Sequence, residues 1–112
     1  MAGTIKRLAG PLALTTTYTT NVHNPSSALV DHVIRHIHIA NKTGIASSFR
    51  LFLGATGGNV AGTELFYDQA VAANDVFDYY GALRLSSSDF LVGGAADATA
   101  LTITIEGEAV AV

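Results

Sequence analysis

The strongest constraint on this chain is an alternation of apolar and polar residues with a period of two. It is clearest in Leu101-Thr-Ile-Thr-Ile-Glu106 and recurs in Val33-Ile-Arg-His-Ile-His-Ile-Ala40. Side chains on an extended strand point alternately to opposite faces, so Leu101, Ile103 and Ile105 line a buried face while Thr102, Thr104 and Glu106 line the other. The same reading of the earlier stretch puts Val33, Ile37 and Ile39 in the core. It leaves His32, Ile34, His36 and His38 on the opposite, outer face. No segment carries a sustained helical stripe, and Gly, Asn, Asp and Ser clusters punctuate the chain at short intervals.

Further strands follow from the same signals. In the segment 46–54, Phe49, Leu51 and Leu53 face one way, and Ser48, Arg50 and the ambiguous Phe52 face the other. The glycine-rich stretch 55–62 is a loop, and 63–67 and 76–80 are short strands linked by a turn at 72–75. Gly81 breaks the pattern before a brief apolar alternation at Leu83 and Leu85. Residues 86–89, Ser-Ser-Ser-Asp, read as a turn, and a strand from Phe90 to Val92 ends at Gly93-Gly94. The first 28 residues differ: Thr15-Thr-Thr-Tyr-Thr-Thr20 has high strand propensity but little apolar alternation, so the segment 1–28 reads as an N-terminal arm or an edge strand. Pro11 and Pro25 belong in connections or at strand ends, because proline offers no amide to a ladder. At 112 residues the chain has room for one core. The expected fold is all-β: an antiparallel β-sandwich or jelly roll of seven or eight short strands over 29–112, with a small closed barrel as the alternative.

Composition narrows the function classes. Charged residues make up 13% of the chain, about half of the roughly 25% typical of soluble domains. A surface covered by Thr, Ser, Gly and Ala points to a stable homo-oligomer in which subunits cover part of it. The net charge is −3, and the only adjacent basic pair is Lys6-Arg7, which argues against a nucleic-acid partner. No apolar run is long enough to span a bilayer, so no membrane partner is expected. There are no cysteines, which removes thiol nucleophiles and thiolate metal sites.

No enzyme signature stands out. Residues 86–88 lack the flanking glycines of a nucleophile elbow. Asp68, Asp75 and Asp78 do not follow a calcium-loop spacing and read as turn or solvated strand positions. Gly54, Gly57 and Gly58 open no phosphate-binding helix. Neither a catalytic site nor a cofactor is expected. His36 and His38, two apart on one strand face, are the one pair with metal-ligand spacing. A third ligand would have to come from His32 or a neighbouring strand, and no residue has a defined position for it, so no metal is expected. The histidine face reads instead as a contact surface, and a stack of His32, His36 and His38 at an interface would weaken association as pH falls. Ile5, Lys6, Arg7 and Tyr18 join His32, His36 and His38 as expected interface residues. Tyr67, Tyr79 and Tyr80 are the candidates for a sugar-stacking platform.

The runs 33–41, Val-Ile-Arg-His-Ile-His-Ile-Ala-Asn, 49–54, Phe-Arg-Leu-Phe-Leu-Gly, 62–66, Gly-Thr-Glu-Leu-Phe, 71–74, Val-Ala-Ala-Asn, and 101–108, Leu-Thr-Ile-Thr-Ile-Glu-Gly-Glu, together resemble small β-rich virion proteins of tailed bacteriophages. Within that group the chain is most similar to capsid decoration, or minor capsid, proteins on the outside of the head. The resemblance covers about residues 29–108, rests on strand patterns and turn residues, and assigns no binding residue. It implies a small β-sandwich or β-barrel homotrimer, made in the host cytoplasm, that binds the major capsid protein on the capsid exterior and reinforces the shell. Met1 to Thr20 would then make many of the shell or neighbour contacts. A tail, fibre or baseplate module and a carbohydrate- or receptor-binding sandwich are the alternative roles.

Overall fold

The computed structural model describes residues 4–112. Among them are eight strands and no helix: β1 (Lys6–Ala13), β2 (Asn21–His23), β3 (Val30–Asn41), β4 (Ser47–Gly54), β5 (Glu64–Val71), β6 (Val76–Leu85), β7 (Phe90–Ala95) and β8 (Leu101–Ala111). They form two four-stranded antiparallel sheets, ordered β1-β8-β3-β6 and β2-β7-β4-β5. In each nested pair, β1 with β8, β2 with β7, β3 with β6 and β4 with β5, the strands are antiparallel neighbours. This is the pattern of one long hairpin folded over on itself, which is the jelly-roll arrangement. The expectation of an all-β sandwich is met, and the two separate sheets exclude the single closed barrel.

The core lies between the sheets. Ile34, Ile37 and Ile39 of β3 and Leu101, Ile103 and Ile105 of β8 meet Phe49 and Leu51 of β4 and Leu91 of β7, all fully buried. Phe49, Phe66, Phe77 and Tyr79 add an aromatic cluster with ring centroids 5.3–5.7 Å apart, tilted or edge-on, which ties β4 and β5 to β6. Tyr79 is therefore committed to the core and belongs to no sugar platform. Phe52 is buried too, but outside this cluster, paired across the strands with the equally buried Val92.

Irregularities in the ladders correct several sequence expectations. Between Ile34 and His36, β3 takes two steps while β8 takes one, from Gly107 to Glu106, and β6 takes three, from Leu83 to Tyr80. The extra residue reverses the alternation of β3. Ile34 is buried in the core, and Val33, expected there, is only half-buried. Gly81 does not end a strand: it sits inside β6, at the longer step of this bulge. Pro11 lies within β1, tolerated because β1 is an edge strand with a register shift between Ala9 and Leu12.

Thr15 to Thr20 is not a strand. It lies along β7, where Gly93 N–H donates to Thr20 O and Ala95 N–H to Thr15 O. The threonine side chains bond one another, Thr15 Oγ1 to Thr20 Oγ1 at 2.8 Å and Thr20 Oγ1 to Thr17 O at 2.9 Å. Such local bonds compete with a regular ladder. A β-carbon at Gly94 would stand 2.6 Å from Thr15 O, so only glycine lets the loop approach this closely.

Candidate functional site

The bulge in β3 divides the four histidines of the chain into two groups with different surroundings. His32, ahead of it, is half-buried and meets His23 of β2 in the other sheet. The rings are stacked with centroids 5.0 Å apart and planes at 11°, and His23 Nε2 lies 2.7 Å from His32 Nδ1. One proton serves that bond, so one ring donates and the other accepts. Burial, and then the neighbouring His32, lower the His23 pKa from 6.5 to about 4. His32 is also lowered, by burial first and then by Lys6, with Asp31 acting in the opposite sense.

Beyond the bulge, His36 and His38 lie on the outer face of the β1-β8-β3-β6 sheet. Ladder register sets their neighbours: Glu106 of β8 and Tyr80 of β6 flank His36, while Thr104 of β8 and Asp78 of β6 flank His38. Asp78 is directly across from His38 and diagonal to His36, a separation that side chains on a sheet can bridge. Its Oδ1 is 2.7 Å from both His36 Nε2 and His38 Nδ1. The second nitrogen of His36, Nδ1, is 3.3 Å from Glu106 Oε1. The Tyr80 ring stacks on His36 at 4.4 Å and 5° and fixes the imidazole plane.

Burial alone would lower the His36 pKa, but the hydrogen bonds to Asp78 and Glu106 outweigh it and hold the ring above its ordinary value. The His38 bond, then the His36 bond, hold Asp78 below the usual carboxylate value. The same face carries two further ion pairs, Arg35 Nε to Glu108 Oε2 at 2.7 Å and Arg84 Nε to Asp31 Oδ2 at 2.6 Å.

On the outer face of the other sheet, the guanidinium of Arg50 lies 4.4 Å from the ring centroid of Tyr18 and 4.0 Å from that of Tyr67. It also makes two bonds to Asp68, Nε to Oδ1 at 2.7 Å and Nη2 to Oδ2 at 3.3 Å. A bulge in β5, where Asp68 has φ of 51°, brings Tyr67 and Asp68 to the same side of the strand. A face of Tyr67 is thus taken by Arg50 and a face of Tyr80 by His36, and the two tyrosines belong to different sheets. No common sugar-stacking platform forms.

The residues expected at an interface fall into several places. Ile5 is exposed just ahead of β1, and Lys6 and Arg7 are exposed on that edge strand. Tyr18 packs on Arg50, His32 faces His23, and His36 and His38 share the outer face with Asp78. The continuous stack of His32, His36 and His38 does not form, because the bulge turns His32 to the other side. Asp78 is the member that sequence reasoning missed. Its signal was its place between Val76 and Tyr80 on one strand face, but its partner strand was not legible. Among the described residues, one shallow cavity of about 180 Å³ is lined by Thr43, Ile45, Asp97, Ala98 and Ala100 and approaches none of these clusters. No family model, curated protein or solved structure matches the chain.

Proposed function

We propose that this chain is a structural virion protein that decorates and stabilises the outside of a tailed-phage capsid by binding the major capsid protein as a homotrimer. The observation that carries the reading is the nested-hairpin jelly roll. The architecture recurs in viral capsid and lectin domains and offers a stiff two-layer block whose sides can be covered. Fold alone does not assign function, and the reading also rests on the resemblance of residues 29–108 to decoration proteins.

The surface supports it chemically. Leu29, Ile45, Val60, Val76, Tyr80 and Val112 are large apolar residues left between 48% and 76% exposed, spread over the molecule as several modest contacts would require. Interfaces of standard size bury about 1,600 Å² in total, and a trimer presenting three copies of a weaker contact gains avidity on a symmetric shell. Met1 to Thr20 contributes contacts in this reading through Ile5, Lys6 and Arg7. Residues 1–3 of that segment lie outside the described residues.

The test is to mix purified protein with bare phage heads, image them, and measure the temperature at which the shells disrupt. Decoration gives bound symmetric density on the exterior and a raised disruption temperature. Absence of bound density overturns the proposal, as does density confined to a tail or fibre in the intact particle. Lys6→Glu together with Arg7→Glu, both on the exposed part of β1, lowers occupancy if that segment contributes, and full occupancy refutes its role.

A further inference from the structure

We propose that His36, His38 and Asp78 form a binding site for a late first-row divalent cation, with Zn²⁺ the best match, on the outer face of the β1-β8-β3-β6 sheet. One ring nitrogen of His36, one of His38 and a carboxylate oxygen of Asp78 lie within 4.8 Å of one another, and Asp78 Oδ1 stands 2.7 Å from His36 Nε2 and from His38 Nδ1. Two imidazoles and a carboxylate suit Zn²⁺, Ni²⁺ or Cu²⁺ and not the oxygen-seeking Mg²⁺ or Ca²⁺. Zinc sites with three protein ligands keep the remaining position for water or an incoming group.

The bonding of His36 leaves a place for a cation when the ring is neutral. Both of its ring nitrogens face carboxylates, Nε2 towards Asp78 and Nδ1 towards Glu106. A doubly protonated ring donates to both, whereas a neutral imidazole has one N–H and satisfies only one of them. With a cation between Nε2 and Asp78, the Nδ1–H donates to Glu106 and the Nε2 lone pair binds the metal. This is the carboxylate–histidine–metal arrangement that fixes the tautomer and strengthens the ligand. Tyr80 stacked on the ring holds its plane.

The present N···O separations of 2.7 Å are hydrogen-bond lengths. Ligand atoms about 2.0 Å from a tetrahedral ion are about 3.3 Å apart, so the two contacts to Asp78 lengthen by about half an ångström, while the two histidine nitrogens, within 4.8 Å of each other, settle at a similar spacing. Side-chain exposures of 22% for His36, 38% for His38 and 29% for Asp78 leave a path of entry. The His23–His32 pair has no such character, because one nitrogen of each ring is turned to the other and neither ring is bonded to a carboxylate. The site stands independently of the capsid reading.

Tag-free full-length protein, stripped with a chelator, is titrated with ZnCl₂ at neutral pH by calorimetry. Wild type binds one Zn²⁺ per chain. His36→Gln and Asp78→Asn each weaken binding at least tenfold, Glu106→Gln weakens it about tenfold through the outer contact, and His23→Gln leaves it unchanged. Circular dichroism of the metal-free variants checks their folding. A second measurement needs no variant: substoichiometric Co²⁺ broadens the ring resonances of His36 and His38 in wild-type protein and spares those of His23. Absence of one-to-one binding, binding that survives both His36→Gln and Asp78→Asn in folded protein, or Co²⁺ broadening centred on His23 and His32 overturns the proposal.

Discussion

Lowering the pH should loosen the sandwich at the His23–His32 contact, in a window that no shifted group outside this pair shares. His23 has a pKa of about 4 in the folded protein and 6.5 as a free side chain. Between those values the unfolded chain binds more protons than the folded one, so stability is complete above 6.5 and is lost as pH falls through 4. At about 1.4 kcal/mol per pH unit the whole drop corresponds to roughly 3 kcal/mol. His23 keeps part of its surface in water, and screening reduces the effect; about 1 kcal/mol is expected between pH 6.5 and 4.5.

The charges facing the pair, Lys6 and Asp31, push His32 in opposite directions. The other shifted groups act outside this interval. His36 is raised, so its contribution is full below 6.5 and is lost as pH rises through its folded value. Asp68 and Asp78 are lowered, so theirs is present above 3.8 and is lost as pH falls further. Urea unfolding followed by tyrosine fluorescence suits a chain with four tyrosines and no tryptophan. His23→Gln should lose more than half of the dependence between pH 6.5 and 4.5. An equal dependence in the two proteins would refute the reasoning, as would a His23 ring resonance that titrates near 6.5.

Three substitutions probe the scaffold, the last as a control. Buried Asn41 donates to Ile45 O and Val71 O and accepts from Thr43 N–H and Thr43 Oγ1–H; Asn41→Ala, which strands those partners, should cost about 2–4 kcal/mol in urea unfolding, and a cost below 1 kcal/mol would count against it. A β-carbon at Gly93 meets the Arg50 carbonyl and comes within 2.9 Å of Leu51 Cδ2, so Gly93→Ala should lower stability by about 1–3 kcal/mol. Gly44→Ala, with nothing within 4 Å, should leave the melting temperature unchanged.

What could be read in the sequence follows physical range. The burial of Ile37, Ile39, Leu101, Ile103 and Ile105 was legible because alternation is local and these residues lie on unbroken stretches of their strands. Val33 and Ile34 were misassigned because the bulge beside them is defined by pairing with β8 and β6, whose register no local pattern carries. The same dependence hid the candidate site. His36 and His38 were visible as a pair, but Asp78 and Glu106 reach them only through two ladders, about 40 and 70 residues away along the chain. Thr15 to Thr20 misled for a different reason: β propensity describes how threonine fits a half-buried ladder, and here the threonine hydroxyls bond within their own loop instead.

The nested pairing of strands also governs when the protein can become native. β8, the last strand in order, lies between β1 and β3 in the middle of its sheet. Until residues 101–111 leave the ribosome, β1 lacks its partner and Ile37 and Ile39 lack Ile105 and Ile103 beside them. Ladders closed over such sequence distances form slowly. Completion of the fold therefore waits on the synthesis of β8, and until then the nascent chain carries uncovered strand edges.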